Sequence, residues 1–149
     1  MKLALGRRLA DPDGMEPRGP RILVADDART MRMLLRTWLE RLDCAVVEAK
    51  NGTEALAILQ GESAVDLAFC DVHMPGLSGL QVLDAIRGDA RLQHLPLVLV
   101  TTLGNDGDVE RGLKRGATAY LKKPVSWGEL AAVLHQILPN AFASLKQHH

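Results

Sequence analysis

Aspartates follow two apolar runs in this sequence, at the points where buried strands would end. Residues 22–25 (ILVA) lead directly into Asp26 and Asp27, and residues 67–70 (LAFC) lead into Asp71. Two carboxylates about 4 Å apart repel each other by roughly 4 kcal/mol at an effective dielectric of 20, so a cluster of three calls for a cation. Mg²⁺ is a hard cation that takes oxygen ligands, keeps several waters and shares a substrate phosphate. Asp26, Asp27 and Asp71 are therefore candidate metal ligands, and Mg²⁺ is the expected cofactor.

Two further kinds of polar group follow the next apolar runs. Thr101 and Thr102 come after residues 97–100 (LVLV), and Lys123 comes shortly after residues 119–121 (AYL). A carboxylate beside Mg²⁺ and an ammonium group can attack a phosphoryl donor and form an aspartyl phosphate. The cation and the lysine would offset the charge on the transferring oxygens. These residue types therefore predict phosphoryl transfer to an aspartate.

The elements that would position these side chains alternate between strand-like and helix-like patterns. Apolar runs typical of strands lie at residues 22–25, 44–47, 67–70, 97–100 and 119–121. Between them, apolar residues recur at the i, i+3, i+4, i+7 spacing of a helix face, and capping-box pairs open helices near Ser78 and Ser126. Strands that are apolar at consecutive positions are usually covered on both faces. The sequence therefore predicts an α/β fold, (βα)5, with an open, doubly wound parallel sheet.

In open α/β sheets, ligands bind outside the carboxyl ends of the strands, which meet at one edge. The predicted strands end at Asp26, Asp71, Thr101 and Lys123. Each of these residues alone has an ordinary explanation, such as a helix cap, a turn former or a solvated cation. Their joint placement at one edge makes those separate explanations improbable together, so we treat them as one candidate site.

Size and composition exclude several functional classes. The 149 residues suit one domain with a real core. Lys+Arg and Asp+Glu both number 18, so no global field attracts nucleic acid or an anionic membrane. No apolar run reaches the roughly 18 residues of a transmembrane helix, and the N-terminal apolar stretch is too short for a secretory signal. We therefore expect a cytoplasmic protein with no direct nucleic-acid binding and no membrane insertion.

Three segments are predicted along the chain. Residues 1–20 contain three Pro and three Gly without periodicity and are interpreted as a flexible N-terminal leader. Residues 21–138 carry the alternating pattern and form the predicted domain, and residues 139–149 form a short C-terminal tail. Cys44 and Cys70 lie in strand-like runs and are expected to be buried free thiols.

Residues 21–138 resemble the receiver domain of two-component response regulators, of the standalone, chemotaxis type. The matching stretches are the acidic pair Asp26-Asp27, the run DVHMPGLSG from Asp71, Thr101 after an apolar strand, and GATAYLKKPV at residues 116–125. The spacings also agree, with 44 residues from Asp27 to Asp71, 30 to Thr101 and 22 more to Lys123. The resemblance implies a flavodoxin-like strand order, 2-1-3-4-5. That order puts Cys44 and Cys70 about 9–10 Å apart, too far for a disulfide.

The resemblance also implies a role for each site residue. Asp71 would accept a phosphoryl group from a phosphohistidine on a histidine kinase or a histidine phosphotransfer protein. Asp27 would ligate Mg²⁺ directly, Asp26 mainly through water, and the backbone carbonyl of His73 would be a further ligand.

Lys123 would contact the phosphoryl group, as would Thr101 and Thr102, and the Lys123-Pro124 bond is expected to be cis. Thr101 and Tyr120 would be the switch pair. The chain would be a signalling phosphoacceptor, which catalyses its own phosphorylation and slow autodephosphorylation, and not an enzyme.

Three positions depart from the family's usual pattern. His73 lies two residues after the acceptor and Leu103 two residues after Thr101, at positions that flank the phosphoryl group and tune its lifetime in the family. The expected environment of His73 is solvent. Thr102 occupies a slot that the family usually fills with a smaller residue.

Two surfaces are predicted to meet protein partners. The first helix carries Arg29, Arg32 and Arg36, which could dock the phosphohistidine protein or could be an ordinary solvated face. The second surface is formed by the fourth helix, the fifth strand and the fifth helix, and would bind a downstream target. Its predicted members are Asp108, Arg111, Lys114, Arg115, Tyr120 and Lys122.

Three other functions were weighed against this interpretation. A haloacid-dehalogenase-type phosphohydrolase needs a second acid two residues after the nucleophile, where this chain has His73. A flavodoxin-like cofactor binder would need a loop after the first strand that does not repel phosphate, and this loop is acidic. The remaining alternative is an adaptor module of the receiver fold that binds partners without phosphorylation. Four intact residues argue against it: Asp27, Asp71, Thr101 and Lys123.

Overall fold

Strands and helices alternate regularly in a computed structural model, which describes residues 19–102 and 106–143. The strands are β1 (Arg21–Ala25), β2 (Ala45–Ala49), β3 (Leu67–Asp71), β4 (Leu97–Thr102) and β5 (Ala119–Lys123). The helices are α1 (Arg29–Arg41), α2 (Gly52–Gln60), α3 (Gly79–Arg87), α4 (Asp106–Lys114) and α5 (Trp127–Ile137). The predicted (βα)5 pattern is confirmed, with strand boundaries that differ by up to two residues.

The five strands form one parallel sheet in the order β2-β1-β3-β4-β5, as predicted. β1 and β3 are neighbours, with Ala25 opposite Cys70, so their carboxyl ends lie side by side. β4 continues past them, with Val100 opposite Asp71. This register brings the residues that follow β1, β3 and β4 to one edge of the sheet.

Alternate residues of the central strands contribute side chains to two hydrophobic cores, one on each face of the sheet. Ile22 and Val24 of β1 pack with α1 and α5, whereas Leu23 and Ala25 pack with α2 and α3. Full burial of a single Leu or Phe side chain contributes about 1.5–3 kcal/mol. Consecutive burial in β1, β3 and β4 explains why these strands read as unbroken apolar runs.

Helix α4 packs differently from the sequence prediction. The i, i+4 pair Val109 and Leu113 carries the apolar pattern of this helix, but the Leu113 side chain is 46% exposed. The helix instead buries Asp108 and Gly112, one turn apart. A Cβ at residue 112 would overlap the side chain of Leu99, so the missing side chain is what permits this close approach.

The polypeptide remains packed beyond the last helix. Phe142 is buried in the α1–α5 core, and its backbone N–H donates to the carbonyl of Leu138. The predicted C-terminal tail, residues 139–149, therefore contributes to the core at residue 142. Residues 1–18 of the predicted leader and residues 144–149 lie outside the described residues.

Both cysteines are buried free thiols, as predicted. Burial raises the pKa of each thiol to about 12. The part of the chain that the structure describes contains no helix long and apolar enough to cross a membrane.

Candidate functional site

Three carboxylates converge at the carboxyl edge of the sheet. Asp71 is the last residue of β3, and Asp26 and Asp27 directly follow β1. One carboxylate oxygen from each lies within 4.8 Å of those from the other two. Asp26 and Asp71 are buried, with 1% and 5% exposure, whereas Asp27 is exposed at the opening. The structure therefore brings together the three acids that the sequence predicted as a cluster.

Lys123 supplies a positive charge to this cluster. It is the last residue of β5, and its Nζ lies 2.9 Å from Asp26 Oδ2 and 3.2 Å from Asp71 Oδ2. The Lys123-Pro124 peptide bond is cis, as expected. The long lysine side chain reaches across the end of β4 to join Asp71, at the end of β3, and Asp26, directly after β1.

The proton affinities of these groups reflect their crowding. Burial and the negative charge of Asp26 raise the pKa of Asp71, although Lys123 and the backbone N–H of His73 oppose that change. Burial works against the Lys123 ammonium, but the hydrogen bonds and charges of Asp26 and Asp71 outweigh it and raise the pKa of Lys123. The lysine therefore stays protonated and offsets only part of the negative charge.

The donor set fits Mg²⁺. All the side-chain ligands on offer are carboxylate oxygens, which hard divalent cations prefer, and one ammonium leaves the three acids with excess negative charge. Asp26 already has both oxygens engaged, Oδ1 by the backbone N–H of Ala28 at 2.8 Å and Oδ2 by Lys123. The exposed Asp27 is the more accessible of the two consecutive acids.

His73 lies beside the predicted acceptor. Its backbone N–H donates to Asp71 Oδ1 at 3.3 Å, so the turn after β3 folds back over the carboxylate. Gly79 N–H donates to the carbonyl of Val72 and closes this turn at the start of α3. A Cβ at residue 79 would overlap the carbonyl of Asp71, so glycine is needed there.

The two predicted threonines leave β4 on opposite faces of the sheet. Thr101 is fully buried on the face that α4 covers, and its hydroxyl lies 3.5 Å from the carbonyl of Thr102. Thr102 is exposed at the same edge of the sheet as the acids. Leu103, the other predicted departure, lies outside the described residues, as do residues 104 and 105.

Tyr120 lies on β5, opposite Leu99 of β4, and its side chain is 40% exposed. Leu99 and Thr101 are two residues apart on β4 and therefore lie on the same face of the sheet. Tyr120, opposite Leu99, lies on that face too, which is the one that α4 covers. In this structure the tyrosine faces outward and the threonine is buried.

A hydrogen-bonded group that the sequence did not predict links the acceptor turn to α4. The His73 ring Nε2 lies 2.8 Å from Asp108 Oδ2, and Arg111 pairs with the other carboxylate oxygen. The Asp108 side chain is only 7% exposed. The prediction that Asp108 belongs to an exposed partner surface is wrong, because its two partners satisfy the carboxylate in a buried position. The His73 ring remains partly exposed while it makes this contact.

The predicted arginine surface on α1 is also only partly solvated. The Arg32 side chain is 11% exposed and bonds both to Glu48 of β2 and to the backbone carbonyl of Asp26. Arg36 is more exposed and pairs with Glu40 and Glu48. Arg29 is exposed, in agreement with the prediction. Arg32 is therefore a structural contact beside the acidic cluster.

The chain matches a known protein family over most of its length. Residues 22–135 match the model of the response regulator receiver domain family. The chain is 33% identical over 119 residues to the chemotaxis protein CheY1 of Helicobacter pylori, covering 79% of this chain and 96% of that protein. It is 34% identical over 118 residues to the protein PilH of Pseudomonas aeruginosa, covering 79% of this chain and 97% of that protein.

Among solved structures, the fold resembles the receiver domain of the sensor histidine kinase PA1611 from Pseudomonas aeruginosa, which holds a magnesium ion in its active-site cleft. The TM-score is 0.74 at 25% identity, over 81% of this chain and 98% of that one. The segment that matches the family, residues 22–135, includes every strand end described above. The chain therefore belongs to the response regulator receiver domain family, whose members accept a phosphoryl group on an aspartate.

Proposed function

We propose that Asp71 is the aspartate that accepts the phosphoryl group, from a phosphohistidine on a histidine kinase or a histidine phosphotransfer protein. The observation that carries the proposal is the position of the Asp71 carboxylate at the end of β3, 3.2 Å from Lys123 Nζ and clustered with Asp26 and Asp27. Asp26 has the same lysine and acids beside it, but its oxygens are held more closely, Oδ1 by Ala28 N–H at 2.8 Å and Oδ2 by Lys123 at 2.9 Å. The corresponding bonds at Asp71 are 3.3 Å and 3.2 Å long, which favours Asp71 as the acceptor.

The residues divide the reaction between them. A carboxylate oxygen of Asp71 would form the new O–P bond as the N–P bond to the donor imidazole breaks, and that bond's electron pair would return to the imidazole nitrogen. Lys123, already held at Asp71 Oδ2, would pair with a phosphoryl oxygen as charge moves onto the acceptor. Thr101 and Thr102 would supply a hydroxyl and backbone contacts at the same edge.

Mg²⁺ would be held by Asp27 and Asp71 directly, by Asp26 mainly through water, and by the backbone carbonyl of His73. Once bound, the ion would offset the charge on the phosphoryl oxygens. The engagement of both Asp26 oxygens supports the indirect role of that residue. In slow autodephosphorylation, water would attack the same phosphorus, the O–P bond to Asp71 would break with its electron pair returning to the carboxylate, and inorganic phosphate would leave.

Phosphorylation would change the surface formed by α4, β5 and α5. The phosphoryl oxygens would accept a hydrogen bond from Thr101, and the hydroxyl's inward movement would leave room for Tyr120 to rotate in from solvent. The surface already carries a link that could reorganise, since Lys122 Nζ lies 2.9 Å from Asp106 Oδ1 and joins β5 to α4. Its mixed charge suits a protein target.

The cellular role would be that of a cytoplasmic signalling protein that acts through protein contacts. CheY1 and PilH, similar to this chain over most of their length, favour a receiver that works through a separate target. Retention of all three acids and the lysine disfavours an adaptor that needs no phosphoryl group.

The proposal is tested by phosphotransfer from a radiolabelled phosphohistidine protein. Wild-type protein with Mg²⁺ should take the label from the donor, and Asp71→Asn should take none. Chelation of the metal should abolish transfer to the wild type. Equal labelling of wild type and Asp71→Asn would place the acceptor elsewhere and overturn the assignment.

A further inference from the structure

Arg32 bonds to the backbone of the loop that carries Asp26 and Asp27. One guanidinium nitrogen, Nη1, donates to the carbonyl oxygen of Asp26 at 2.8 Å, and Nε donates to Glu48 Oε1 at 2.9 Å. The guanidinium thus joins the loop after β1 to the neighbouring strand β2. With its side chain only 11% exposed, it holds a fixed position in the wall of the site.

Glu48 is itself held from a second direction. Arg36 Nη1 lies 2.5 Å from Glu48 Oε2, and this hydrogen bond is the main reason why the pKa of Glu48 is lowered. One carboxylate oxygen therefore binds Arg36 and the other binds Arg32. The anchor for Arg32 is ionised and fixed on both sides.

The loop has few other restraints. Helix α1 begins after Ala28, an N-cap residue without a side chain that can accept a hydrogen bond. Two contacts hold the Asp26 side chain, from Ala28 N–H to Oδ1 and from Lys123 Nζ to Oδ2. The backbone of Asp26 is held by its N–H, which donates to the carbonyl of Ala49, and by Arg32, which donates to its carbonyl. The carbonyl of Asp26 belongs to the peptide plane that leads into Asp27, so holding its direction restrains the backbone from which the Asp27 carboxylate extends.

We infer that Arg32 is a positioning residue for the magnesium ligands, which acts by holding the Asp26–Asp27 peptide against β2 through Glu48. The inference rests on the proposed function, because it concerns the same metal site. Partners that orient metal ligands in this way typically change metal affinity by 10–100-fold when they are removed.

The sign of the effect separates positioning from charge. Arg32 is a cation beside a cation site, so a purely electrostatic role predicts that its removal tightens Mg²⁺ binding. A positioning role predicts that removal weakens binding. Arg32→Lys keeps the charge, but a single ammonium cannot reproduce the planar fork that reaches Glu48 and the Asp26 carbonyl together.

The experiment is a Mg²⁺ titration followed by NMR, with the free energy of unfolding measured separately in a chelator. Arg32→Gln and Arg32→Lys should each bind Mg²⁺ about 10-fold more weakly than the wild type. The matched control is Arg36→Gln, which removes the bond from Arg36 to Glu48 and leaves both bonds of Arg32, to Glu48 and to the Asp26 carbonyl, in place. The Mg²⁺ affinity of this control should stay within about twofold of the wild type, since the bond from Arg32 to the Asp26 carbonyl persists.

The outcomes of this experiment separate the proposed function from the positioning role of Arg32. If the wild type binds no Mg²⁺, the proposed function fails. If the wild type binds Mg²⁺ while both Arg32 variants bind equally well or more tightly, the positioning inference is overturned and the proposed function stands. An equal loss in Arg36→Gln would assign the effect to the wider ion-pair network and would also overturn the inference. A lower free energy of unfolding with unchanged Mg²⁺ affinity would show a purely structural role.

Discussion

The carboxylate of Asp71 occupies a position that costs the folded protein stability. It is buried next to Asp26, and these two influences raise its pKa despite the nearby Lys123. A group with a raised folded-state pKa favours the folded state at low pH and opposes it as the pH rises through that pKa. The same crowding of negative charge favours the binding of a cation at the site. The arrangement that destabilises the folded state therefore also serves the proposed reaction.

Asp71→Asn should therefore stabilise the protein at neutral pH in a chelator, by on the order of 1 kcal/mol, a fraction of the roughly 4 kcal/mol repulsion between unit charges at 4 Å. The gain should disappear as the pH falls to about 4, where the unfolded carboxyl also becomes protonated. Urea unfolding across this pH range measures it. The exposed Glu62→Gln is the control and should show no such gain. A destabilised Asp71→Asn at neutral pH without metal would contradict the account of this residue.

Among the secondary-structure elements, α4 is the one that the sequence describes least well. The strands could be predicted because burial on both faces leaves consecutive apolar residues, and parallel pairing then brings Asp26, Asp71 and Lys123 to one edge. The face of α4 could not be predicted, because its inward positions are Asp108 and Gly112. The buried carboxylate of Asp108 pairs with Arg111 on the same helix and with His73, which is 35 residues away along the chain. No local pattern records the second pairing.

Helix α4 should loosen when this pairing is removed. Asp108→Ala eliminates the carboxylate that joins the first turn of α4 to the acceptor turn, so amide hydrogen exchange in Asp106–Lys114 should accelerate. Exchange in β1 and β3 should not change. Glu110→Ala, an exposed acid on the same helix, is the control. Equal exchange rates in Asp108→Ala and wild type would show that the pairing does not restrain the helix.

For the molecule as a whole, the acceptor site and the α4–β5–α5 surface are connected through the end of β4. Thr101 is buried between them, and Tyr120 faces solvent beside a cavity of about 380 Å³ on β5 and α5. The lining residues of this cavity are Tyr120, Leu121, Lys122, Glu129, Ala132 and Val133. A two-state shift of this surface needs differential contacts in the two states, and a phosphoryl group bonded to Thr101 provides one.

Thr101→Ala should separate phosphorylation from this shift. Asp71 should still be modified, because its carboxylate, Lys123 and the acidic cluster remain, but amide signals of residues 106–122 should move much less than in the wild type. NMR spectra before and after phosphorylation measure both properties in one sample. If wild-type phosphorylation moves only residues 71–76, the switch through Thr101 and Tyr120 is wrong for this protein.

The most direct test of the central claim is the chemical identity of the modified residue. The protein is treated with a small acyl phosphate and Mg²⁺, reduced with borohydride to convert any aspartyl phosphate into homoserine, and mapped by peptide mass spectrometry. Homoserine should appear at residue 71, in a reaction that requires Mg²⁺, and Asp71→Asn should show none. Homoserine at another aspartate of the wild type, or none under conditions in which a known receiver domain reacts, would contradict the assignment of Asp71 as the phosphoryl acceptor.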